Sequence, residues 1–290
     1  MPFKRRKKES PYFDVPESPL SGDSEVTVEV IPDELPLVNT ATATHIGTRE
    51  YQQDAAYVCE PLYEEGPAYG ILCDGMGGTT DGARAGSDTV AFMANQIVAC
   101  GTCENIPAFL EQAAIGANDL LVGQNRQLMQ DSGTTLLTVL MQKGLLYWLS
   151  VGDSRIYIIR GNEIVQVTTD HNYALELREM VESGQITQEQ ADTDPGKEHL
   201  ISYIGAPRLE RIDINHNPFQ MLYGDIVLLC SDGLTKVLYP DEILKIVTRC
   251  GYNIAEAARI LPVAAFDQSP NVLDNTTVVL MQYLGHPPII

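Results

Sequence analysis

The sequence predicts an α+β fold with sheets in the middle and helices outside. Apolar runs with the composition of strands come in blocks, and these blocks are separated by segments with helical periodicity, without one-by-one alternation. The chain has 290 residues, of which 44% are apolar. It is therefore long enough and apolar enough to bury a substantial core.

The first half of the chain contains three predicted strands and two predicted helices. The strands are expected at 41–47, 54–59 and 67–73, because these apolar runs are separated by Gly and Pro turns. In 83–99 and 105–128, apolar residues recur on one face at helical spacing, which predicts amphipathic helices.

The second half begins with a block of strands over 136–167, in which Arg160-Gly161-Asn162 is typical of a hairpin turn. The remaining predicted elements are, in order, a polar helix at 172–192, a buried strand at 225–231, a helix at 240–265 and a closing strand at 275–284. This order of strand and helix blocks completes the α+β prediction.

Residues 1–40 are predicted to form a flexible tail and residues 41–286 the folded domain. The first segment is rich in proline and divides into a basic run at 4–8 and an acidic stretch. The basic run has the character of a docking segment or a nuclear address, but a solvated tail is the favoured interpretation.

The chain is strongly acidic, with 39 Asp and Glu residues against 19 Lys and Arg and a net charge of −20. Such a charge repels phosphate backbones and anionic membranes, so nucleic acid is not expected as a partner. No apolar run reaches the ~18 residues of a membrane span. The N-terminus also has no apolar segment typical of a signal peptide. We therefore expect a cytoplasmic protein.

Six cysteines are scattered along the chain, several of them in strand-like runs. This usage predicts reduced, mostly buried thiols. Cys100 and Cys103 have the spacing of a metal or redox motif. However, there is no second pair of this kind and no nearby histidine, so a metal or redox role is disfavoured.

Four aspartates follow strand-like runs and stand beside Gly or a polar residue: Asp74, Asp153, Asp232 and Asp274. A fifth, Asp54, begins a predicted strand. One such aspartate commonly marks only a turn, but four at strand ends favour a shared site. Carboxylates at a sheet edge suit hard cations, and they repel one another without one. The residues predict an oxygen-ligand metal site with more than one ion.

Seven short motifs stand in order over roughly 42–284. They are Gly47 to Asp54, Cys73 to Gly78, Ser132 to Thr135, Val151 to Arg155, Thr169 to His171 with Glu182 to Thr187, Leu228 to Leu234, and Asp274 to Thr277. Each motif is weak alone, but the ordered set is specific. It resembles the PPM (type 2C) family of metal-dependent protein serine/threonine phosphatases, in its bacterial form.

The resemblance implies a four-layer α/β/β/α sandwich, with two central antiparallel sheets flanked by helices and a flap segment near 170–208. It implies hydrolysis of phosphoserine and phosphothreonine in proteins, by in-line attack of a water that bridges two metal ions. The implied cofactors are two Mn²⁺ or Mg²⁺ ions, with a third in many bacterial members. The implied partners are phosphorylated proteins and a cognate serine/threonine kinase.

The resemblance also assigns roles to residues of this chain. The implied metal ligands are Asp54, Asp74, Gly75, Asp153, Asp232 and Asp274. Among these, Asp74 bridges two ions, Gly75 offers its carbonyl, and Asp153 belongs to the third, weaker site. Arg49 matches the residue that clamps the substrate phosphate, a task suited to a planar fork of donors. Arg49 and Asp74 are thus the implied catalytic residues.

Two departures from the family pattern stand out. Gln53 occupies a position where the family has Glu, so one carboxylate is replaced by a neutral amide and one ion is expected to bind more weakly. Met76 occupies a position where eukaryotic members have His, so the group that protonates the leaving oxygen has no assignment.

The sequence leaves two other functions open. Gln53 motivates a pseudophosphatase, or a phosphoprotein-binding scaffold with little turnover, although the retained Arg49, Asp74, Asp232 and Asp274 argue against it. Hydrolysis of a small phosphoester by the same site is the other alternative, which the flap would decide. The five histidines have no metal-site spacing and are expected to be structural, and Arg155 is expected to pair with a nearby carboxylate.

Overall fold

The structure is a computed structural model that describes residues 38–60, 67–78, 80–101, 103–271 and 274–285. All of them lie within the compact unit Leu35–Ile290. Most of the predicted tail at 1–40 lies outside the described residues. Its last three positions, from Val38 to Thr40, belong instead to the first strand, because Val38 pairs with Tyr283 near the other end of the chain.

The described strands are β1 (Val38–His45), β2 (Asp54–Cys59), β3 (Ala68–Met76), β4 (Gly133–Thr134), β5 (Leu136–Gln142), β6 (Leu145–Val151), β7 (Arg155–Arg160), β8 (Glu163–Gln166), β9 (Asp213–Ile214), β10 (Phe219–Gln220), β11 (Ile226–Cys230) and β12 (Thr276–Tyr283). The described helices are α1 (Asp81–Cys100), α2 (Ile106–Leu128), α3 (Tyr173–Glu182), α4 (Gln188–Asp192), α5 (Asp232–Thr235), α6 (Pro240–Arg249) and α7 (Ile254–Gln268).

These strands form two antiparallel sheets. One sheet has the order β1-β12-β11-β7-β8, and the other has the path β10-β6-β5-β3-β2, with β4 beside β3 and β9 beside β6. Neighbours pair antiparallel in both sheets, for example β11 with β12 and β2 with β3. The prediction of two antiparallel sheets is confirmed.

Three apolar clusters separate the layers. The first packs α1 and α2 on the sheet that contains β3 and β5, through residues such as Ile71, Met93 and Leu110. The second packs α5, α6 and α7 on the other sheet. The third lies between the two sheets and joins Leu72 and Val139 to Val227 and Val279. Because helices cover both outer faces, the four-layer prediction is also confirmed.

Two long predicted helices are each divided in the structure. The polar helix at 172–192 is α3 and α4, with a turn at Gly184, whose φ is 74°. The helix at 240–265 is α6 and α7, because Gly251 and Tyr252 adopt left-handed backbone conformations that end the first helix. Asn253 then caps the second helix by accepting from the backbone N–H of Glu256. Both single-helix predictions were wrong.

The prediction that all six thiols are reduced is wrong for one pair. Cys100 and Cys103 are joined by a disulfide between α1 and α2, with their Cα atoms 6.1 Å apart. Gly101 ends α1 with a φ of 65°, which turns the chain back within three residues and brings the two cysteines together. Cys59, Cys73, Cys230 and Cys250 are free thiols. Over the described part of the chain, every helix is too short or too polar to cross a bilayer.

Candidate active site

Asp54 and Asp74 face each other across two neighbouring strands. They are direct partners in the antiparallel pairing of β2 with β3, so their side chains project from the same face of the sheet. Burial raises the pKa of Asp54 to about 7, although hydrogen bonds from Ser231 and Thr277 oppose the rise. Burial, followed by the charge of Asp54, raises the pKa of Asp74 well above its usual range.

Asp232 and Asp274 reach the same place from the other sheet. Asp232 is the first residue of α5, directly after β11, and Asp274 precedes β12, which pairs with β11. Both carboxylates act electrostatically on Asp54 and Asp74. Ser231 ties the two sheets together here, because its hydroxyl donates to Oδ2 of Asp54 at 2.8 Å. The site therefore lies where ends of both sheets meet.

Asp153 lies in the turn between β6 and β7. Burial, and then the charge of Asp232, raises its pKa to about 7. The preceding Gly152 has a φ of 107°, and a Cβ there would lie 2.7 Å from Cγ2 of Thr135. Only glycine fits this turn without strain, and the close packing fixes the position of Asp153.

Thr135 links Asp74 to the Asp153 turn. Its backbone N–H donates to the carbonyl of Asp74 at 2.9 Å, and its hydroxyl accepts from the N–H of Asp74 at 2.9 Å. The same hydroxyl lies 2.8 Å from the hydroxyl of Ser154. Thr135 lies within one of the seven sequence motifs, but the sequence analysis gave it no role. In the structure it connects Asp74 to the turn that carries Asp153.

Gly75 is packed too tightly for any side chain. A Cβ at this position would lie 2.1 Å from the carbonyl oxygen of Gly82 and 2.7 Å from that of Gln53. The N–H of Gly75 donates to the same Gln53 carbonyl at 3.2 Å. The amide of Gln53 packs against Gly82 at the start of α1. The neutral substitution at position 53 therefore adjoins the glycine that is the candidate carbonyl ligand.

Asn275 fixes the loop that carries Arg49. Its Nδ2 donates to the carbonyl of Ile46 at 2.8 Å, and its Oδ1 accepts from the N–H of Gln53 at 2.8 Å. Both ends of the 46–53 loop are thus held by one buried side chain. The sequence analysis assigned no function to Asn275, although this residue follows Asp274 in the last of the seven motifs.

Among the described residues, the cationic side chains of Arg49 and Lys236 contact the site carboxylates. Nη2 of Arg49 donates to Oδ2 of Asp274 at 2.6 Å. Nζ of Lys236 forms an ion pair with Oδ2 of Asp232, four residues earlier. The sequence singled out Arg49 but missed Lys236, because no motif signal marks a lysine one helical turn after an aspartate.

The site fits a cation, judged by its own polar atoms. Within the described residues, the buried Oδ1 atoms of Asp54 and Asp232 have no hydrogen-bond partner. A buried carboxylate oxygen without a partner is costly, and a hard cation would satisfy it. In this arrangement, however, no three His, Cys, Asp or Glu side chains among the described residues are close enough to hold an ion. A cation therefore has to draw the carboxylates together and to compete with Arg49 and Lys236.

Two further motif residues, His171 and Arg155, have hydrogen-bond partners outside the five aspartates. His171 is buried, and it accepts from the N–H of Gly152 through Nδ1 at 3.2 Å while its own N–H donates to the Gly152 carbonyl. Arg155 forms a two-pronged ion pair with Asp170, with contacts of 3.0 and 2.7 Å, which confirms the expected carboxylate partner. A cavity of about 490 Å³ lies between this pair and α3, and none of the five site aspartates lines it.

Comparison with known proteins identifies the family. The family model described as protein phosphatase 2C matches residues 42–262. A protein phosphatase PhpP from Streptococcus pneumoniae is 31% identical over 232 residues, which covers 78% of this chain and 89% of that protein. The family model covers more than half of this chain, and both sheets and the site described above fall largely within residues 42–262.

Solved structures show the same architecture. A Streptococcus agalactiae serine/threonine phosphatase superimposes with a TM-score of 0.73 at 27% identity, over 85% of this chain and 99% of that one. The catalytic domain of the phosphatase PstP, solved with two manganese ions, superimposes with a TM-score of 0.68 at 26% identity, over 85% and 98% of the two chains. This chain belongs to the protein phosphatase 2C family.

Proposed function

We propose that this enzyme hydrolyses phosphoserine and phosphothreonine in proteins, with Mn²⁺ or Mg²⁺ as its cofactor. Its substrates would be phosphorylated proteins, including the targets of a cognate serine/threonine kinase. The supporting observation is the convergence of five aspartates from both sheets, in which buried oxygens of Asp54 and Asp232 have no hydrogen-bond partner.

The candidate ligands of this chain are Asp54, Asp74, Gly75, Asp153, Asp232 and Asp274. When bound, two divalent ions supply an attacking water of lowered pKa and positive charge opposite the phosphoryl oxygens. The carboxylates of Asp54 and Asp74 are well suited to this role, because they oppose each other across the β2–β3 pair and are held in place by backbone pairing.

Arg49 binds the substrate phosphate in this proposal. Its guanidinium is more than half exposed, and the side chain of Asp274 is 30% exposed. An exposed pair of this kind contributes only about 0–1 kcal/mol, so the guanidinium can exchange the carboxylate for a phosphate at little cost. The planar guanidinium then contacts two phosphate oxygens at once. Met76 offers no proton, so the side chain at that position has no acid–base role.

The proposal is tested by phosphate release from p-nitrophenyl phosphate and from a phosphothreonine peptide, with Mn²⁺, with Mg²⁺ and with EDTA. We expect metal-dependent release that EDTA abolishes. Asp232→Asn should remove at least ~99% of the activity, because it removes the charge of a candidate ligand. Asp119→Asn is the matched control, since Asp119 is exposed on α2 and distant in sequence from every motif.

The same assay distinguishes the alternatives. Release from p-nitrophenyl phosphate and small phosphoesters without release from the peptide would identify a small-molecule phosphatase. Folded protein that binds the phosphopeptide without releasing phosphate under any metal condition would contradict the enzymatic proposal. That outcome would make the chain a phosphoprotein-binding scaffold, with Gln53 as the motivating substitution.

A further inference from the structure

The ammonium group of Lys236 lies against the acidic cluster. Lys236 follows α5 directly and pairs with Asp232 at the start of that helix. Asp153 and Asp274 also act on it electrostatically. The ammonium group therefore pairs with one carboxylate of the cluster and interacts electrostatically with two others.

The ammonium group of Lys236 and the guanidinium of Arg49 pair with different aspartates of the cluster. Arg49 compensates Asp274 directly. The charged groups that act most strongly on Asp153 are Asp232, Lys236 and Asp170, and of these only Lys236 is positive. Asp170 is already compensated by its pair with Arg155. Lys236 is thus a positive charge that lowers the pKa of Asp153 and also pairs directly with Asp232.

We propose that the ammonium group of Lys236 is a built-in cation on the Asp153–Asp232 side of the site, where it holds off a further divalent ion and limits the enzyme to two ions. This inference rests on the proposed function, because it takes the other carboxylates to hold those two ions. An ion bound by Asp153 and Asp232 has to displace the ammonium group and overcome its repulsion at a few ångströms.

The side chain is able to act in this way because of its position. The side chain of Asp232 is only 15% exposed, while that of Lys236 is 50% exposed. The carboxylate therefore loses most of its hydration, and the ammonium group replaces it with a close charge. The lysine stem is flexible, so the ammonium group can yield one oxygen of Asp232 to an inner ion and still stay beside the carboxylate.

The test counts the Mn²⁺ ions bound by the metal-free 290-residue chain, using isothermal titration calorimetry and metal analysis after gel filtration. The variants are Lys236→Met, which removes the charge at similar length, and Lys236→Arg, which keeps it. Lys245→Met is the matched control, because Lys245 is exposed on α6. Thermal unfolding in EDTA establishes that each variant is folded.

We expect Lys236→Met to bind one Mn²⁺ more than the parent chain. Lys236→Arg and Lys245→Met should bind as the parent does. Adding Asp153→Asn to Lys236→Met should remove the additional ion, because it removes a carboxylate of that site.

An unchanged ion count in folded Lys236→Met overturns the inference, even if the same ions bind more tightly, because Lys236 then only competes for Asp232. If that protein still releases phosphate with Mn²⁺, the proposed function stands and only the role of Lys236 is lost. An additional ion in Lys236→Met, combined with no phosphate release by the parent chain, has the opposite meaning. It supports the role of Lys236 and overturns the proposed function.

Discussion

Arg49 donates to the carboxylate of Asp274 across 225 residues of sequence, at 2.6 Å. One of these residues is the candidate phosphate clamp and the other is a candidate metal ligand. Their contact couples the two parts of the site, because binding of phosphate to Arg49 releases Asp274 and binding of an ion to Asp274 releases Arg49. Substrate and metal are therefore expected to assist each other's binding.

Arg49→Ala should raise the KM for a phosphothreonine peptide about tenfold or more, because a charge-assisted hydrogen bond to the substrate contributes ~1.5–3 kcal/mol. The change in kcat should be smaller than the change in KM. The KM of Arg49→Lys should lie between those of the parent chain and of Arg49→Ala, since lysine keeps the positive charge but lacks the planar guanidinium. Steady-state kinetics at saturating Mn²⁺ measure both constants, and an unchanged KM would contradict the role of Arg49.

The metal-free enzyme should become less stable as the pH rises from about 4 to about 8. In the folded chain the pKa of Asp54 and that of Asp153 are about 7, whereas an unfolded aspartate has a pKa of about 3.9. Between these values the folded state binds more protons than the unfolded state, so the free energy of unfolding decreases as pH increases. The decrease ends above the folded pKa.

Urea unfolding in EDTA at several pH values measures this slope. Asp153→Asn should reduce it, because one of the three aspartates with a raised pKa no longer titrates. Saturating Mn²⁺ should remove or reverse it, because the carboxylates bind the ion in their charged form. Stability in EDTA that is constant or rises over this pH range would show that the aspartates are not buried together.

Gly233→Ala should destabilise the fold by about 2–3 kcal/mol and reduce activity, because overpacking shifts the backbone. A Cβ at Gly233 would lie 2.1 Å from the carbonyl oxygen of Asn275, so α5 has to move away from β12 and carry Asp232 with it. Gly123→Ala is the matched control in α2, where a Cβ has no atom within 4 Å. It should stabilise the chain by ~0.5–1 kcal/mol. Equal effects of the two changes in urea unfolding would be inconsistent with this packing.

Thr135→Val should weaken Mn²⁺ binding and cost about 1–3 kcal/mol of stability, because it leaves the N–H of Asp74 without its side-chain acceptor. Thr135→Ser keeps the hydroxyl and should retain most of the affinity. Calorimetric titration of both variants with Mn²⁺ separates the two effects. If valine and serine bind the ion equally well, the Thr135 hydroxyl does not position Asp74.

The local pattern of the chain was sufficient for most of the fold. The strand at 54–59 and the helices near 83–99 and 105–128 were predicted almost to the residue, because each has an apolar face of sufficient length and clear turn residues at its ends. The helix at 240–265 was predicted as one piece, although Gly251 is a common residue at a helix end and Asn253 a common N-cap. Tyr252 between them also has a left-handed backbone, with a φ of 61°.

The sequence predicted which aspartates form the candidate site, but it did not predict the hydrogen bonds that position the site residues. Asp74, Asp232 and Asp274 were identified because each follows a strand-like run. The contact of Thr135 with Asp74 joins residues 61 positions apart, and the contact of Asn275 with the loop that carries Arg49 joins residues 222 positions apart. No local pattern specifies such contacts, since they depend on which strands become neighbours and in what register.

The sequence by itself determined the acidic charge, the order of the elements and the aspartates at the strand ends, because these follow from composition and short-range periodicity. Only the tertiary structure decided that Asp54 stands opposite Asp74, that Arg49 reaches Asp274 and that Lys236 pairs with Asp232. It also decided which carboxylates lose their hydration and have a raised pKa. Burial and charge proximity arise only when distant segments pack together, and they give these aspartates a chemistry that the same residues lack in the unfolded chain.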